Sequence, residues 1–266
     1  MGLLAEEKQN NVKQPSLVEN YIDLKTESED SSACVDKSID EIYDLFENNM
    51  DVTMQYPDEY YSAYIDNFKP NEKKRRFFRF FKRSFDLIVS LFAITLLSPI
   101  LLLIAIAIKC DSKGPVLFKQ KRIGKDGKEF NCYKFRSMYV DAPRECPTSI
   151  LQNSEIHVTK VGRFIRRLSL DELPQLFCCV KGTMSIIGYR PLIVNERNCN
   201  EMRSKLGVFA LRPGISGYAQ VKGRDDVYYK NKAILDAIYV KKANLWLDIK
   251  LIFKTIGVVF KNKKVK

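Results

Sequence analysis

The feature that most constrains this chain is a run of 22 mostly apolar residues, Leu87 to Ile108, with Ser98-Pro99 at its centre. The run is long enough for the hydrocarbon core of a bilayer, since a spanning helix needs roughly 20 apolar residues. Pro99 has no backbone N–H and clashes with the preceding turn, so we expect the helix to kink or break there. We expect the Ser98 hydroxyl to bond to a backbone group that this leaves unpaired.

The basic flanks of this run favour a helix that enters and leaves the membrane on one face. Residues 71–86 contain seven Lys or Arg side chains, and residues 109–125 contain six. Short basic flanks normally remain in the cytoplasm. If both do so, the segment turns at Ser98-Pro99 and returns to the side from which it came. The alternative is a kinked helix that spans the membrane.

Charge is distributed unevenly around this segment. Residues 1–70 hold five Lys or Arg and 16 Asp or Glu, which gives a net charge of −11. Because the whole chain carries +12, residues 71–266 carry a net charge of +23. A basic body beside an apolar segment favours anionic membrane lipid and phosphorylated substrates as partners. The sequence contains neither a zinc-finger spacing nor an aromatic-rich RNA-binding motif, so we predict no nucleic-acid partner.

These patterns divide the chain into three parts. Residues 1–70 are predicted to be an acidic, largely disordered tail. Residues 71–108 form the basic approach and the re-entrant membrane hairpin, and residues 109–266 form a cytosolic catalytic domain. Within the tail, one short segment has helical apolar spacing and is either a transient helix or a docking peptide, for a partner or for the basic body of this protein. Its apolar residues are Ile39, Ile42, Tyr43 and Phe46.

The predicted fold class of the cytosolic part is α+β, mainly helical. Residues 116–123 and 128–135 are rich in β-forming side chains and are joined through Asp126-Gly127, which predicts a β-hairpin. Helical segments separated by Gly/Pro loops follow. The last, starting near Leu245, carries one apolar stripe with Trp246 at its beginning, so it is either an interfacial helix or a core helix with a solvated tail.

The catalytic chemistry has to be found without histidine clusters. His157 is the only histidine, the seven cysteines are scattered without a C-x-x-C pair, and no P-loop motif occurs. These absences argue against His-based metal sites, Ser-His-Asp catalysis and P-loop nucleotide binding. What remains is the carboxylate pair Asp171-Glu172, which follows a group of arginines.

Two interpretations of Asp171-Glu172 are open on the residues alone. Ser169 and Glu172 fit a helix capping box, which is a structural role. Pro174 would then fall inside the helix, so the helix more plausibly begins nearer Leu173, with both acids at its mouth, where phosphates also bind. Arginines in nearby Gly/Pro loops would present bidentate donors to phosphate oxygens.

Several motifs recur in the order found in a known family. The chain resembles the bacterial sugar transferases, monotopic phosphoglycosyl transferases that prime glycan assembly on a polyprenol phosphate. The resemblance covers roughly residues 73–260. The motifs are Lys82-Arg83-Ser84-Phe85-Asp86, Ser98-Pro99, Tyr133-Lys134-Phe135-Arg136-Ser137-Met138, Leu170-Asp171-Glu172-Leu173-Pro174-Gln175-Leu176, Arg190-Pro191-Leu192, Arg212-Pro213-Gly214-Ile215-Ser216-Gly217, Ala219-Gln220-Val221 and Gly223-Arg224.

The resemblance implies an activity and roles for particular residues. Asp171 would be the nucleophile, and Glu172, together with Asp171, would bind Mg²⁺. The enzyme would move a phospho-sugar from a UDP-sugar to polyprenol (undecaprenyl) phosphate through an aspartyl intermediate and release UMP. Candidate substrate contacts are Lys134, Arg136, Gln175, Arg190, Arg212, Gln220 and Arg224.

The same resemblance implies a cellular setting. The protein would act at the cytoplasmic face of the bacterial plasma membrane, in the first membrane step of exopolysaccharide, capsule, lipopolysaccharide or glycoconjugate assembly. Later glycosyltransferases would be partners.

The sequence departs from the family pattern at three positions. Tyr189 stands where proline is usual, Thr183 where an acid is common and Asp225 where asparagine is common, so nucleotide or sugar preference is in question. The alternative function is a non-catalytic adaptor at the membrane surface that binds partners through its acidic tail. The intact Asp171 and Glu172 argue against it.

Overall fold

The computed structural model describes residues 41–42, 44–69, 75–142, 154–223 and 227–261. Helices dominate, as predicted, and the strands form two small sheets. The helices are α1 (Asp58–Asn67), α2 (Arg75–Asp111), α3 (Lys160–Arg167), α4 (Gln175–Lys181), α5 (Arg197–Lys205), α6 (Tyr218–Gly223), α7 (Tyr229–Lys242) and α8 (Leu245–Lys261). The strands are β1 (Leu117–Ile123), β2 (Glu129–Phe135), β3 (Ser185–Ile187) and β4 (Gly214–Ser216).

The predicted β-hairpin is confirmed. Strands β1 and β2 pair antiparallel, with Leu117 opposite Phe135 and Ile123 opposite Glu129. Asp126, with φ 57°, has the left-handed conformation that an Asp-Gly turn favours. Strands β3 and β4 come from separate loops and pair in parallel as a second sheet.

The apolar run forms part of α2, which continues through Pro99. Proline deprives the carbonyl of Thr95 of its usual N–H partner, and the Ser98 hydroxyl donates to that oxygen at 2.8 Å. The predicted role of Ser98 is therefore confirmed, whereas the predicted break does not interrupt the helix. Among the described residues, this is the one helix long and apolar enough to cross a membrane.

The N-terminal half of α2 is attached to the body by buried charges. Lys82 Nζ lies 2.6 Å from Asp248 Oδ2 of α8 and 3.8 Å from Asp86 Oδ1. Asp86 Oδ1 also accepts a hydrogen bond from the backbone N–H of Ile186 in β3 at 3.1 Å. Asp86 thus pairs with Lys82, and the two residues join α2 to two other elements.

The C-terminal half of α2 packs on the same body. Ile108 lies in an apolar cluster with Phe135 of β2 and Ile165 of α3. Asp111, the last residue of α2, accepts a hydrogen bond from the N–H of Val161 at 3.0 Å. Because α4 contacts both the first half of α2 and strand β2, the two ends of α2 contact one continuous body.

The acidic N-terminal segment differs from the prediction. A π-helical turn, Leu45–Asn49, and helix α1 place Phe46, Tyr61 and Tyr64 in the main core against α7. The expectation of a largely disordered tail up to residue 70 is therefore wrong for residues 44–69, which we call the aromatic arm. Of the alternatives for this segment, docking on the body of the same protein is confirmed. Tyr43 and residues 1–40 lie outside the described residues.

The arm covers a helix that is buried on every side. Every residue of α7 from Ala233 to Val240 is buried, including Asp236. A helix without a solvent-exposed face has to be covered all round. The arm contributes to that cover, and α5 packs on α7 as well. No local pattern in the sequence predicts this pairing, because the two segments are distant in the chain.

The predicted C-terminal helix is present as α8, and it is only partly a core helix. Asp248 and Leu251 are buried, whereas the side chains of Trp246 and Phe253 are 76% and 71% exposed. Large exposed aromatic side chains on one helix are typical of an interfacial helix.

Candidate active site

Asp171 and Glu172 lie in a short 3₁₀ turn, Leu170–Glu172, directly before α4. Ser169, which precedes the turn, has a left-handed backbone (φ 56°, ψ 22°) and its side chain caps nothing. The capping-box interpretation is therefore wrong, and the helix begins after Pro174, close to the predicted start. A non-glycine residue in this conformation is strained, and such residues cluster at functional sites.

Glu172 is held by two cations. Its Oε1 atom lies 2.7 Å from Lys134 Nζ and 3.0 Å from Arg190 Nη2. Burial of Glu172 opposes ionisation, but the charges and hydrogen bonds of Arg190 and Lys134 outweigh it and hold the pKa well below the usual value. Glu172 is consequently ionised at neutral pH.

Asp171 is in a different environment, although it is the adjacent residue. Its side chain is buried, and no described residue donates a hydrogen bond to its carboxylate. Burial raises the pKa of Asp171, and the nearby charge of Glu172 acts in the same direction. A poorly hydrated carboxylate without hydrogen bonds is a stronger nucleophile than a solvated one. Lys134, Arg166 and Arg190 provide positive potential around it.

Two of the predicted substrate contacts thus converge on the acids. Lys134 comes from β2 and Arg190 from the loop after β3, so separate parts of the chain supply them. Their side chains are 19% and 29% exposed, which leaves both accessible from one side. Cations that are both partly exposed and placed beside a carboxylate pair can bind phosphate oxygens.

Arg136, another candidate substrate contact, does not join this cluster. Its side chain is buried and donates to the backbone oxygens of Lys113 at 2.7 Å and Ser112 at 2.7 Å, beyond the end of α2. Helix C-termini leave carbonyl groups unpaired and carry partial negative charge, so they attract a cation. Arg136 is therefore a helix-capping residue in this structure.

The remaining predicted contacts lie apart from the carboxylates or within the protein. Arg212 Nε donates to the carbonyl of Gly182 at 2.7 Å, at the far end of α4. Gln175 is buried in the first turn of α4. Gln220 Nε2 donates to the carbonyl of Ile215 at 3.1 Å. Arg224 and Asp225 lie outside the described residues.

Comparison with known proteins agrees with the motifs. Residues 77–262 match the bacterial sugar transferase family. The chain belongs to the bacterial sugar transferase family. The resemblance found in the sequence is confirmed, and the match excludes the aromatic arm.

Curated relatives of this bacterial sugar transferase include three informative examples. Undecaprenyl-phosphate glucose phosphotransferase of Komagataeibacter xylinus is 42% identical over 187 residues, 66% of this chain and 35% of the relative. UDP-glucose:undecaprenyl-phosphate glucose-1-phosphate transferase of Klebsiella pneumoniae is 44% identical over 194 residues, 69% of this chain and 41% of the relative. Exopolysaccharide production protein ExoY of Rhizobium meliloti is 38% identical over 194 residues, 67% of this chain and 84% of the relative. The chain therefore spans less than half of the first two relatives and most of the third.

Sequence reasoning missed two arginines of this sugar transferase, the half-buried Arg122 and the fully buried Arg203. Arg122 Nη1 donates to the carbonyl of Pro191, and Arg203 Nη1 donates to the carbonyl of Arg190 at 2.9 Å. Both side chains therefore hold the loop that carries Arg190, one of the two partners of Glu172. Neither has a local sequence signal, because the acceptor lies 69 residues away for Arg122 and 13 for Arg203. Tyr189, one of the predicted departures from the family, is buried beside this loop.

Proposed function

We propose that this chain transfers a sugar phosphate from a UDP-sugar to undecaprenyl phosphate and releases UMP. The observation that carries the proposal is the buried, unpaired carboxylate of Asp171 beside the cation-bound carboxylate of Glu172. The names of the relatives support the substrate classes, since they include undecaprenyl-phosphate glucose and galactose phosphotransferases. Exopolysaccharide assembly is the favoured setting because of the similarity to ExoY.

In the first step, a carboxylate oxygen of Asp171 attacks the β-phosphorus of the UDP-sugar. The bond between that phosphorus and the oxygen bridging to the α-phosphate breaks, and UMP leaves with the bonding electron pair. The product is a sugar phosphate joined to Asp171 as an acyl phosphate. Covalent catalysis of this kind divides one difficult displacement into two easier ones.

In the second step, a phosphate oxygen of undecaprenyl phosphate attacks the same phosphorus. The bond to Asp171 breaks, the carboxylate is restored, and the lipid leaves as a diphosphate-linked sugar. Lys134 and Arg190 lie beside the reacting carboxylate and stabilise the charge on the phosphoryl oxygens in both steps. Their resting partner, Glu172, keeps both cations at this position before substrate binds.

The residues present fit a Mg²⁺ ion. The described residues contain no cluster of three or more His, Cys, Asp and Glu side chains, and within them the carboxylates available at the site are those of Asp171 and Glu172. Mg²⁺ is commonly bound by one or two carboxylates, with water and substrate phosphates completing six ligands. Glu172 Oε2 accepts a long hydrogen bond of 3.5 Å from Arg190 Nη1, and so retains coordinating capacity. When bound, the ion would neutralise part of the diphosphate charge.

A re-entrant arrangement of α2 belongs to the same proposal. A helix that crosses a bilayer has its ends on opposite sides of about 30 Å of hydrocarbon. Asp86 and Asp111, near the two ends of the apolar segment, both bond to the same polar body. A water-exposed body of this kind lies on one side of a membrane, so both ends of α2 would lie at the cytoplasmic face. The exposed aromatic side chains of α8 would then rest in the head-group layer.

The test is UMP release by the purified full chain in lipid nanodiscs that contain undecaprenyl phosphate. UDP-glucose, UDP-galactose and UDP-N-acetylgalactosamine are the first donors to compare, given the names of the relatives. We expect UMP release and a lipid-linked sugar diphosphate with at least one donor. Absence of product with a full panel of UDP-sugars would favour the non-catalytic adaptor.

The aspartyl intermediate requires its own measurement. Incubation with the accepted donor in the absence of lipid acceptor should add the mass of one sugar phosphate to the protein, at Asp171. The Asp171→Asn variant should take up no mass and retain about 1% of turnover or less, because an amide oxygen is a poor nucleophile. Substantial turnover by that variant would refute the covalent mechanism while leaving the transferase activity in place. The Asp141→Asn variant changes an acid that lies outside the site and serves as the control.

A further inference from the structure

The loop that carries Arg190 is held in place by hydrogen bonds to its backbone carbonyl groups. From position 189 to position 192, each carbonyl oxygen accepts a hydrogen bond from another part of the chain. Two of the donors are backbone amides, and two are arginine side chains. The pairs are Gly214 N to Tyr189 O at 2.8 Å, Arg203 Nη1 to Arg190 O at 2.9 Å, Arg122 Nη1 to Pro191 O, and Ile123 N to Leu192 O at 3.0 Å.

Arg203 is the most fully buried of these donors. Its side chain is 0% exposed, and that of its ion-pair partner, Asp236 of α7, is 1% exposed. One arm of the guanidinium, Nη2, pairs with Asp236, and the other, Nη1, reaches the carbonyl of Arg190. The guanidinium also lies over the ring of Tyr189, 5.3 Å from its centroid. Arg203 therefore contacts two successive residues of the loop from behind.

Stability is a poor explanation for this buried pair. A buried ion pair often contributes less than an apolar pair of the same volume, because both charges lose their hydration. Arg203 Nε, moreover, has no hydrogen-bond partner among the described residues. Such a group adds a desolvation penalty. The fixed planar geometry of the guanidinium, which links α7 to the loop, is what an apolar replacement would lack.

The position of the loop matters for the carboxylate site. The Arg190 side chain donates to Glu172 Oε1 at 3.0 Å, and its backbone carbonyl is the acceptor for Arg203. Residue 190 lies in neither a helix nor a strand. Its side chain can therefore keep its place beside Glu172 only if the backbone of the loop is fixed by contacts from outside.

We propose that Arg203 is a positioning residue that fixes the Arg190 backbone, and thereby holds the Arg190 guanidinium at Glu172. The proposal deepens the transferase function and rests on it for its kinetic consequence. The structural part, that Arg203 immobilises the loop, stands independently of any activity.

The first variant is Arg203→Lys, which preserves the charge opposite Asp236 but removes the planar fork that reaches two acceptors at once. We expect faster hydrogen exchange at three amides whose hydrogen bonds hold the loop, those of Ile123, Gly188 and Gly214. We also expect kcat to fall about 10-fold or more, because small displacements of positioning groups have effects of this size. KM for the UDP-sugar should change less than kcat.

A second variant guards against misfolding. The double substitution Arg203→Met with Asp236→Leu replaces the ion pair by apolar groups of similar volume, which proteins often tolerate without loss of stability. We expect a thermal midpoint close to that of the wild type, with fast loop exchange and reduced kcat as in the first variant. Met202→Ala, on the same helix, is the control: it removes a buried side chain that has no hydrogen bond to the loop.

The outcomes separate the hypotheses. The proposal would be overturned if these three amides exchanged at the wild-type rate in both Arg203 variants. It would also be overturned if they exchanged faster while kcat stayed unchanged. Equal effects of Met202→Ala would also overturn it, since they would indicate a general response to weakening of α5. If the wild type itself releases no UMP from any donor, the proposed function fails, while the exchange measurements still decide whether Arg203 immobilises the loop.

Discussion

The guanidinium of Arg83 donates to the carbonyl oxygen of Cys179 at 2.6 Å, and to that of the next residue, Val180, at 2.8 Å. Arg83 lies in the N-terminal half of the apolar helix α2, and these carbonyls belong to the last turn of α4. Helix α4 begins directly after the turn that carries the two acids. Helix α2 therefore binds the C-terminal end of α4, and the candidate nucleophile Asp171 lies just before the N-terminal end of α4.

This contact predicts an effect of Arg83 on turnover rather than on membrane binding. The Arg83→Met variant should leave the last carbonyls of α4 without their charged donors, so the helix and the acids before it lose a fixed position. We expect kcat for UMP release to fall about 10-fold or more, with vesicle co-sedimentation unchanged. Lys109→Met removes a charge from the other end of α2 and should have little effect on kcat. Equal losses in the two variants would indicate a general charge effect.

Glu172 predicts a metal requirement that can be tested by substitution and by chelation. In Glu172→Gln the neutral amide should bind Mg²⁺ poorly, so we expect UMP release to fall at least about 100-fold. EDTA should abolish wild-type turnover, and added Mg²⁺ should restore it. Turnover that persists in EDTA would show that the positive side chains around the site are sufficient without a metal.

The packing of both ends of α2 predicts their accessibility in cells. Single cysteines introduced by Arg79→Cys and Lys113→Cys, in a background without native cysteines, should both be shielded from an impermeant thiol reagent outside intact cells. Both should react after the cells are permeabilised. Labelling of one position in intact cells would establish a helix that spans the membrane.

The centre of α2 offers a matched variant for this measurement. Replacement of Ser98-Pro99 by Ala-Leu supplies the backbone N–H that Pro99 lacks and removes its clash with the preceding turn, in a helix of spanning length. We expect it to shift a fraction of the molecules towards the spanning arrangement, so that one of the two cysteines becomes accessible in intact cells. Unchanged labelling would show that the contacts of Asp86 and Asp111 with the body decide the topology.

Local signals account for what the sequence predicted correctly. Asp126-Gly127 specifies a turn by its backbone preferences, and alternating β-formers on either side specify the strands. The Ser98 hydrogen bond follows from the missing N–H of Pro99, and the helix start after Pro174 follows from the geometry of proline. In each case the residue and its partner lie within a few positions of one another.

Partners distant in the chain account for what the sequence did not reveal. Arg136 and Arg190 are indistinguishable as residue types, but one meets the end of α2 and the other meets Glu172. Their roles depend on which unpaired group the fold brings near. The docking of the aromatic arm has no local signal for the same reason, because the arm is acidic in composition and the helix that it covers, α7, is distant in the chain.

The aromatic arm predicts that two N-terminal truncations, one before the arm and one that removes it, differ sharply in their effect. Removal of residues 1–40 should leave UMP release within a few-fold of the full chain, whereas removal of residues 1–69 should expose the apolar face of α7 and lower the thermal midpoint. Tyr61→Phe is a milder test, since the Tyr61 hydroxyl donates to the buried Asn231 side chain at 2.6 Å. Its loss should destabilise the protein by about 1–2 kcal/mol. Equal thermal midpoints of the two truncated proteins would show that the arm does not stabilise the body.

Glu47 predicts that the arm loosens in acid. Its carboxylate lies 3.1 Å from Lys241 Nζ and 2.5 Å from Lys242 Nζ. Burial opposes ionisation, but the two lysines outweigh it and lower the pKa of Glu47 below its usual value of 4.5. A carboxylate with a lowered folded-state pKa stabilises the protein above its unfolded-state pKa, and that contribution disappears as the pH falls through the folded-state value.

The thermal midpoint of Glu47→Gln should therefore be lower than that of the wild type at pH 7, by an amount that corresponds to about 1 kcal/mol or less because both lysines are partly exposed. The difference should shrink progressively below pH 4.5. Glu59→Gln, at an exposed position in the same arm, should match the wild type at every pH. A difference that is as large in acid as at pH 7 would show that Glu47 supports the arm through packing instead of charge.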